Sequence, residues 1–447
     1  MSRFLTALAV LVALGLTATP ALADDCRVTD YGAIAGDDGL DTAAIQSAID
    51  ACKDVGGRVV VPTGRFVSGQ LRLGSTMEFH LSAGAVISAS TDLAHFPPVV
   101  ALNAGGTHRP FIIGQGVRDL AITGLGTIDG SGPAYWGKED IDRIRFGLIV
   151  TDCANVKIDD ITVRDTPMFL SAVMRCDNVV ISGVTLLAPL DSPNTDGLQI
   201  IDSRDVRVSD CLIQVGDDGI VTKSQTRDVE RLQVVNCRIS SDDGAIKFGT
   251  RSNFGVRDSL FSNISITNSR YGIALFMIQG GAYLNNRFSN IRIETGGRHA
   301  RHYAIFADID DRADTIDQQG SQDRPLGRIE GLVFDGLDIT TAGNIMLGGH
   351  PRSPIRDLTL SDIRLRVIDA EDLTATTRKP TGNRTFQPVP GSPDHSRVDA
   401  HVVLGHVEGA VLRNVDARGV TPADRRPVVA LPSSTDIRAD PGFEDPR

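Results

Sequence analysis

Asp-Ser-Pro-Asn-Thr-Asp-Gly occupies residues 191–197, Gly-Asp-Asp-Gly-Ile-Val-Thr-Lys-Ser residues 216–224, and Asp-Asp-Gly-Ala-Ile-Lys-Phe-Gly-Thr residues 242–250. Asp196 and Asp217 are 21 residues apart, Asp217 and Asp243 are 26 apart. A chain that coils with a period in the twenties would bring these carboxylates together on adjacent turns. The surrounding sequence has such a period. The pattern apolar-x-apolar-x-x-apolar-x-apolar recurs from about residue 119, as in Val156–Val163, Val206–Ile213 and Leu358–Leu365. Its third apolar position falls on Leu125, Ile161, Val184, Cys211, Cys237, Ile264, Ile291, Leu337, Ile363 and Val415. From Ile161 to Ile291 the steps are 23, 27, 26, 27 and 27. The later gaps of 46 and 52 are each near two steps, and the 36-residue step from Leu125 implies an insertion around Pro133–Arg145.

Self-similarity at this period means a solenoid. The repeats hold short alternating runs joined by Gly, Asn, Asp or Ser, and no helix-length segment separates them. That predicts an all-β parallel β-helix, with turns about 4.8 Å apart. Composition agrees: aromatics are 5%, with 45 Gly and 21 Pro in 447 residues, which suits short strands and tight turns. Residues 41–53 read as a short amphipathic capping helix with Asp41 at its N-cap, placed to shield an unpaired sheet edge. Cys26–Cys52 is the best disulfide candidate. Cys153 and Cys176 share one register, Cys211 and Cys237 another; each pair reads equally as free thiols or a disulfide.

Met1–Arg3, the apolar run Phe4–Ala18 and Ala21-Leu22-Ala23 form a signal-peptide pattern, so residues 1–23 are expected to be removed. Residues 24–430 are read as one β-helix domain and 431–447 as an untethered tail, with a further long loop over 369–399. The expected location is secreted or periplasmic, with no membrane span. A net charge of −11 argues against a nucleic-acid partner, and a monomer is expected.

Equal register means equal face, so Asp217 and Asp243, each six residues after its anchor, should stack. Asp218 and Asp196 lie close by. Several carboxylates within a few ångströms cannot all ionise easily, and a protonated carboxyl beside an ionised one is the equipment of general acid/base catalysis. Lys223 and Lys247 fall in near-equal register and are candidates for binding an anionic sugar or holding the carboxylates ionised. A turn-forming role for each Asp and a cation site are the competing readings; neither a metal nor a cofactor is expected. Tyr135 and Trp136 are placed either to stack a sugar or to pack in their loop. His299 and His302 read as solvated surface, and Asp308, Asp310 and Asp311 as surface acids.

The chain resembles the polygalacturonase-type glycoside hydrolases of family 28. Asp30-Tyr-Gly-Ala33, Asp41–Gln46 and Gly126–Gly130 followed by Trp136 look like that family's N-terminal segments. Ser192-Pro-Asn-Thr-Asp-Gly197 and Gly216-Asp-Asp218 with Lys223-Ser224 look like its first two catalytic motifs. The resemblance implies a right-handed parallel β-helix and a polysaccharide substrate of pectin type, galacturonan or rhamnogalacturonan-like. It implies Asp217 as general acid, Asp196 and Asp218 as activators of water, and inversion at the anomeric carbon. Two motifs differ: Gly244 stands where the family has histidine, and Tyr271–Phe276 stands where it has Arg-Ile-Lys. Asp243 is the candidate for part of the histidine's role. Lys247 and Arg251 are candidates for the missing positive charge, and Asn194 joins Lys223 as a substrate-binding candidate. A β-helix lyase or epimerase, and a non-catalytic glycan-binding β-helix, are the alternatives.

Overall fold

The computed structural model describes residues 25–103, 106–299, 301–310, 325–368, 392–420 and 426–440. The signal-peptide pattern and most of the 369–399 loop lie outside them. Two parallel sheets carry the chain, one of 25 strands that bends around two sides and one of 12 that forms the third. Successive turns pair strand on strand, and the result is a right-handed parallel β-helix. One antiparallel hairpin, Val99–Asn103 with Gly106–His108, stands apart from the coil. Among the described residues no helix is long and apolar enough to cross a membrane.

The repeat reads directly as register. Ile264 pairs with Ile291 and both lie in the core. Phe261, Phe288 and Phe334 stack through the centre, with ring centroids 5.0 Å apart at each step. At one corner Asp210, Asn236, Asn263 and Asn290 all adopt positive φ, between 52° and 59°. Asn and Asp tolerate that conformation better than other non-glycine residues. Here their side chains also bond from turn to turn: Asn263 to Asn236 at 2.7 Å and Asn290 to Asn263 at 3.2 Å.

Three expectations of the period are corrected. Ile291 pairs directly with Leu337, and Ile363 directly with Val415. Each long gap is therefore one turn with an excursion, not two turns. Leu125 is not an inward anchor: Thr127 pairs with Thr162, which puts Gly126 opposite Ile161, and Leu125 is 67% exposed. A side chain at 126 would collide with Leu81, whose Cβ lies 2.5 Å from where a Cβ would stand. The coil also runs beyond residue 430: Thr435–Ala439, inside the expected tail, pairs in parallel with Val407–Gly419.

The helix spans Thr42–Cys52 and buries Ile45, Ala48, Ile49 and Cys52 against the first turn. Asp41 holds the N-cap position without capping; its Oδ1 accepts from the Ile34 amide at 2.8 Å instead. Cys26 and Cys52 are disulfide-bonded, as are Cys153 and Cys176, while Cys211 and Cys237 are free and buried. The first bond closes a 26-residue separation, and loops of this size are worth about 3 kcal/mol. Replacing Cys26 and Cys52 with Ser should therefore unfold the N-terminal cap at lower denaturant. Equal protection of cap and centre from amide exchange in that variant would contradict this.

Candidate active site

The outer face of the 12-stranded sheet builds the site as two adjacent columns. Phe146 pairs with Phe169. The Leu170 amide donates to the Asp196 carbonyl, so Asp196 follows Phe169. Leu198 pairs with Ile220 and Ile220 with Ile246. Carried two residues back, that register sets Asp218 beside Asp196 and Gly244 beside Asp218. Gly244 then pairs with Tyr271, and Tyr271 with Tyr303. One position earlier run Arg145, Met168, Thr195, Asp217, Asp243 and Arg270. The predicted stacking of Asp217 on Asp243 thus holds, and Asp196 belongs with Asp218 rather than with Asp217.

Oxygens of Asp196, Asp217 and Asp218 all lie within 4.8 Å of one another. Asp196 and Asp218 are 4% and 5% exposed; Asp217 is partly open. Burial first, and then the charges of Asp196 and Asp218, hold the Asp217 carboxyl well above the usual carboxylate range. Burial pushes Asp218 up to about 7, with Lys247 opposing and Asp196 adding to the rise. Burial works against ionised Asp243 too, but Lys247 and Arg270 outweigh it and keep that carboxyl below its ordinary value.

The cations are spread along the group. Lys247 Nζ lies 2.9 Å from Asp218 and 3.3 Å from Asp243. Lys223 Nζ lies 3.5 Å from Asp196 Oδ2, which also accepts from Gln199 Nε2 at 2.7 Å. Arg270 reaches Asp243 at 3.4 Å. The lysines are not in one column: Val221 pairs with Lys247, and Ile201 with Lys223, two positions further on. Each serves a different carboxylate. The trio of carboxylates is the one group among the described residues with a geometry for a metal ion, but two of its members already face ammonium groups.

Gly244 and Lys247 are linked. A Cβ on Gly244 would meet Asp218 Oδ1 at 3.2 Å and Lys247 Cβ at 3.3 Å. The lysine takes the space into which a histidine at 244 would have to grow. Arg251 is exposed and makes no described contact with the four carboxylates, so the charge placed among them is that of Lys247.

Asn194 sits at φ 57° in the turn before Asp196. Its Oδ1 accepts from Arg143 Nη2 at 2.8 Å. Arg143, 4% exposed, also donates to the carbonyls of Pro167 at 3.2 Å and Pro193 at 3.3 Å, and pairs with Asp140. Sequence reasoning placed an insertion here but missed this arginine, which reaches from the Pro133–Arg145 excursion to the turn before Asp196. Arg143→Ala should lower kcat about 100-fold, since small displacements of a reacting group cost that much, with KM changed far less. A lowered melting temperature with unchanged kcat would refute that positioning role.

The other candidates fall outside the group. Tyr135 is fully buried and donates to the Ser90 carbonyl at 2.8 Å, and Trp136 Nε1 donates to the Thr166 carbonyl at 3.0 Å; both pack in their loop. His302 is buried rather than solvated surface, while His299 keeps a 31% exposed side chain that lies 3.2 Å from Asp242. Asp308 and Asp310 are buried rather than surface acids; Asp311 is outside the described residues.

Residues 52–379 match the profile of glycosyl hydrolases family 28. A probable polygalacturonase of Vitis vinifera is 28% identical over 60% of this chain and 60% of its own length. An exopolygalacturonase of Zea mays is 30% identical over 43% of this chain and 47% of its own. The chain thus spans 60% or less of the length of these curated relatives. The family 28 exopolygalacturonase structure of Yersinia enterocolitica superposes with a TM-score of 0.65 at 19% identity, covering 94% of this chain and 78% of that one. With the profile matched across the whole carboxylate cluster, the chain belongs to glycosyl hydrolases family 28.

Proposed function

We propose that the protein is an exported glycoside hydrolase that cleaves a pectin-type polysaccharide, galacturonan or rhamnogalacturonan-like, by acid/base catalysis with inversion. The observation that carries this is the Asp217 carboxyl. Burial and two neighbouring carboxylates raise its pKa well above the ordinary carboxylate value, in a trio whose oxygens lie within 4.8 Å of one another. Asp217 protonates the leaving glycosidic oxygen, and the C1–O bond breaks with oxocarbenium character. Asp196 and Asp218 take a proton from water as it attacks C1 from the opposite face. Lys247 opposes the burial that raises the Asp218 carboxyl, and Lys223 pairs with Asp196. Asn194 and Lys223 contact the sugar, and Arg251 meets it only beyond the cluster.

The carboxyls approach within 4.8 Å, closer than the separation of about 6.5–9.5 Å usual in inverting pairs. Inversion is supported by family membership and by two water-activating carboxylates in place of one. The anomer formed first, followed by proton NMR, tests it; the retained anomer would make one of them a nucleophile. The remaining parts of the reading are a signal peptide over residues 1–23, a single catalytic domain from residue 24, and action as a monomer without metal, cofactor or nucleic acid.

The activity is tested by following reducing ends and near-ultraviolet absorbance together on a panel of acidic polysaccharides. New reducing ends without absorbance support hydrolysis. Absorbance would mark an unsaturated product and a lyase. Silence in both across the panel would point to a glycan-binding β-helix.

A further inference from the structure

Beside the carboxylates, on the N-terminal side, two cations share one aromatic ring. The Arg145 guanidinium lies 4.7 Å from the Phe169 ring centroid and Lys223 Nζ lies 4.9 Å from it. Phe169 is the residue next to Asp196 in its column, so this pair borders the reacting centre directly. Lys223 is partly neutralised by Asp196 at 3.5 Å. Arg145 has no such partner: no ion pair joins it to a described carboxylate, and its buried Nε has no hydrogen-bond partner. Its one described polar contact is Nη1 to Met168 Sδ at 3.8 Å.

A half-buried guanidinium stacked on a ring keeps its planar fork while giving up water. Such a group has unspent capacity for a planar anion, which it can bind through two parallel hydrogen bonds. The neighbouring charges favour the same ligand. Asp196, Asp217, Asp218 and Asp243 face Lys223, Lys247, Arg270 and Arg145, four against four. Once Asp217 holds its proton the group carries one positive charge in excess. On the other flank, Arg270 is engaged by Asp243 and stacked on Tyr271, which leaves Arg145 as the cation with open valence.

We infer that Arg145, with Lys223 beside it on Phe169, binds the carboxylate of a uronic acid unit on the N-terminal side of the cleavage point. This inference rests on the hydrolase reading above and adds a specificity determinant to it. In this chain, where Tyr271–Phe276 replaces the basic motif, recognition of the acidic sugar moves to the opposite flank of the catalytic carboxylates.

The test compares Arg145→Met and Arg145→Lys with the unaltered chain on oligogalacturonate and on its fully methyl-esterified form. Binding of oligogalacturonate to each is also measured by calorimetry at two salt concentrations. Losing a charged, bidentate contact should weaken binding of the acidic oligomer about 10- to 100-fold, raise KM to match and leave kcat nearly unchanged. The preference over the ester should collapse, and the salt dependence should shrink. Arg145→Lys should recover only part of the affinity, since an ammonium lacks the fork. Equal losses on acid and ester would overturn the inference, because Arg145 would then only support the Phe169 wall. So would unchanged acid affinity in a folded Arg145→Met chain, while cleavage by the unaltered chain would leave the hydrolase reading standing. If the unaltered chain neither binds nor cuts any uronate oligomer, the inference fails together with the substrate class; a neutral product released by the same chain would still preserve the hydrolase.

Discussion

Asp217→Asn should fold, bind substrate and turn over about 1,000-fold more slowly, the middle of the range that a positioned general acid contributes. The amide keeps the size and hydrogen bonds of the carboxyl but cannot give a proton to the leaving oxygen. KM should move little. A second readout separates this from damage. In the unaltered chain the folded-state pKa of Asp217 is raised, chiefly by burial. Its contribution to stability is therefore fully present below the unfolded carboxylate value and is lost as pH rises through the folded one. Asn carries no such penalty. The variant should be more stable than the parent at pH 7, on the order of 1 kcal/mol, and equal to it near pH 3. A variant that is slow and also less stable at pH 7 would mean that Asp217 is a structural residue.

Lys247→Met has the second large effect, and on stability as much as on rate. The ammonium lies between Asp218 and Asp243, and the side chains of Lys247 and Asp218 are 12% and 6% exposed. Removing it leaves two carboxylates in a buried place without their cation, and breaking a buried pair costs about 3–5 kcal/mol. The loss depends on pH in a defined direction. Without Lys247 the folded-state pKa values of both carboxylates move up, so stability is present below the unfolded value and lost as pH rises. Urea midpoints should lie far below the parent at pH 7 and converge with it towards pH 4. Activity at neutral pH should fall too, since Asp218 must be ionised to take a proton from water. Adding Asp243→Asn should restore part of the stability and none of the rate. A midpoint gap independent of pH would exclude the charge explanation.

The coil was legible because its core repeats. Steps of 26 and 27 residues return an inward residue to an inward place, and Cys211 over Cys237 or Ile264 over Ile291 could be read without coordinates. The stacking of Asp217 on Asp243 followed from the same count. The count misled where the chain leaves the ladder. A 46-residue gap is as close to two turns as to one turn with an excursion, and no feature of the spacing separates them. Arg143 and Arg145 escaped for the same reason, since they sit at the end of an excursion where period carries no information. Phe169 and Arg270 lie in the ladder, but their roles need the register of the outer face. The repeat pattern follows the inner face. The 22-residue step from Asp196 to Asp218 differs from its neighbours, which is why Asp196 was placed near the group but not in its column.

The long turns from Ile291 to Leu337 and from Ile363 to Val415 still carry their strands of the 12-stranded sheet, Tyr303–Ile309 and Val402–Gly405, and rejoin the ladder one level higher. Extra length between those strands costs little, since doubling a flexible loop adds about 0.6 kcal/mol of closure entropy. The proton-transfer groups are fixed by the spacing of the strands, so length can be added between strands at these two turns without moving them. Grafting a foreign segment between Asp310 and Arg328 would leave Tyr303–Ile309 paired on both sides, and the carboxylates set by the ladder where they are.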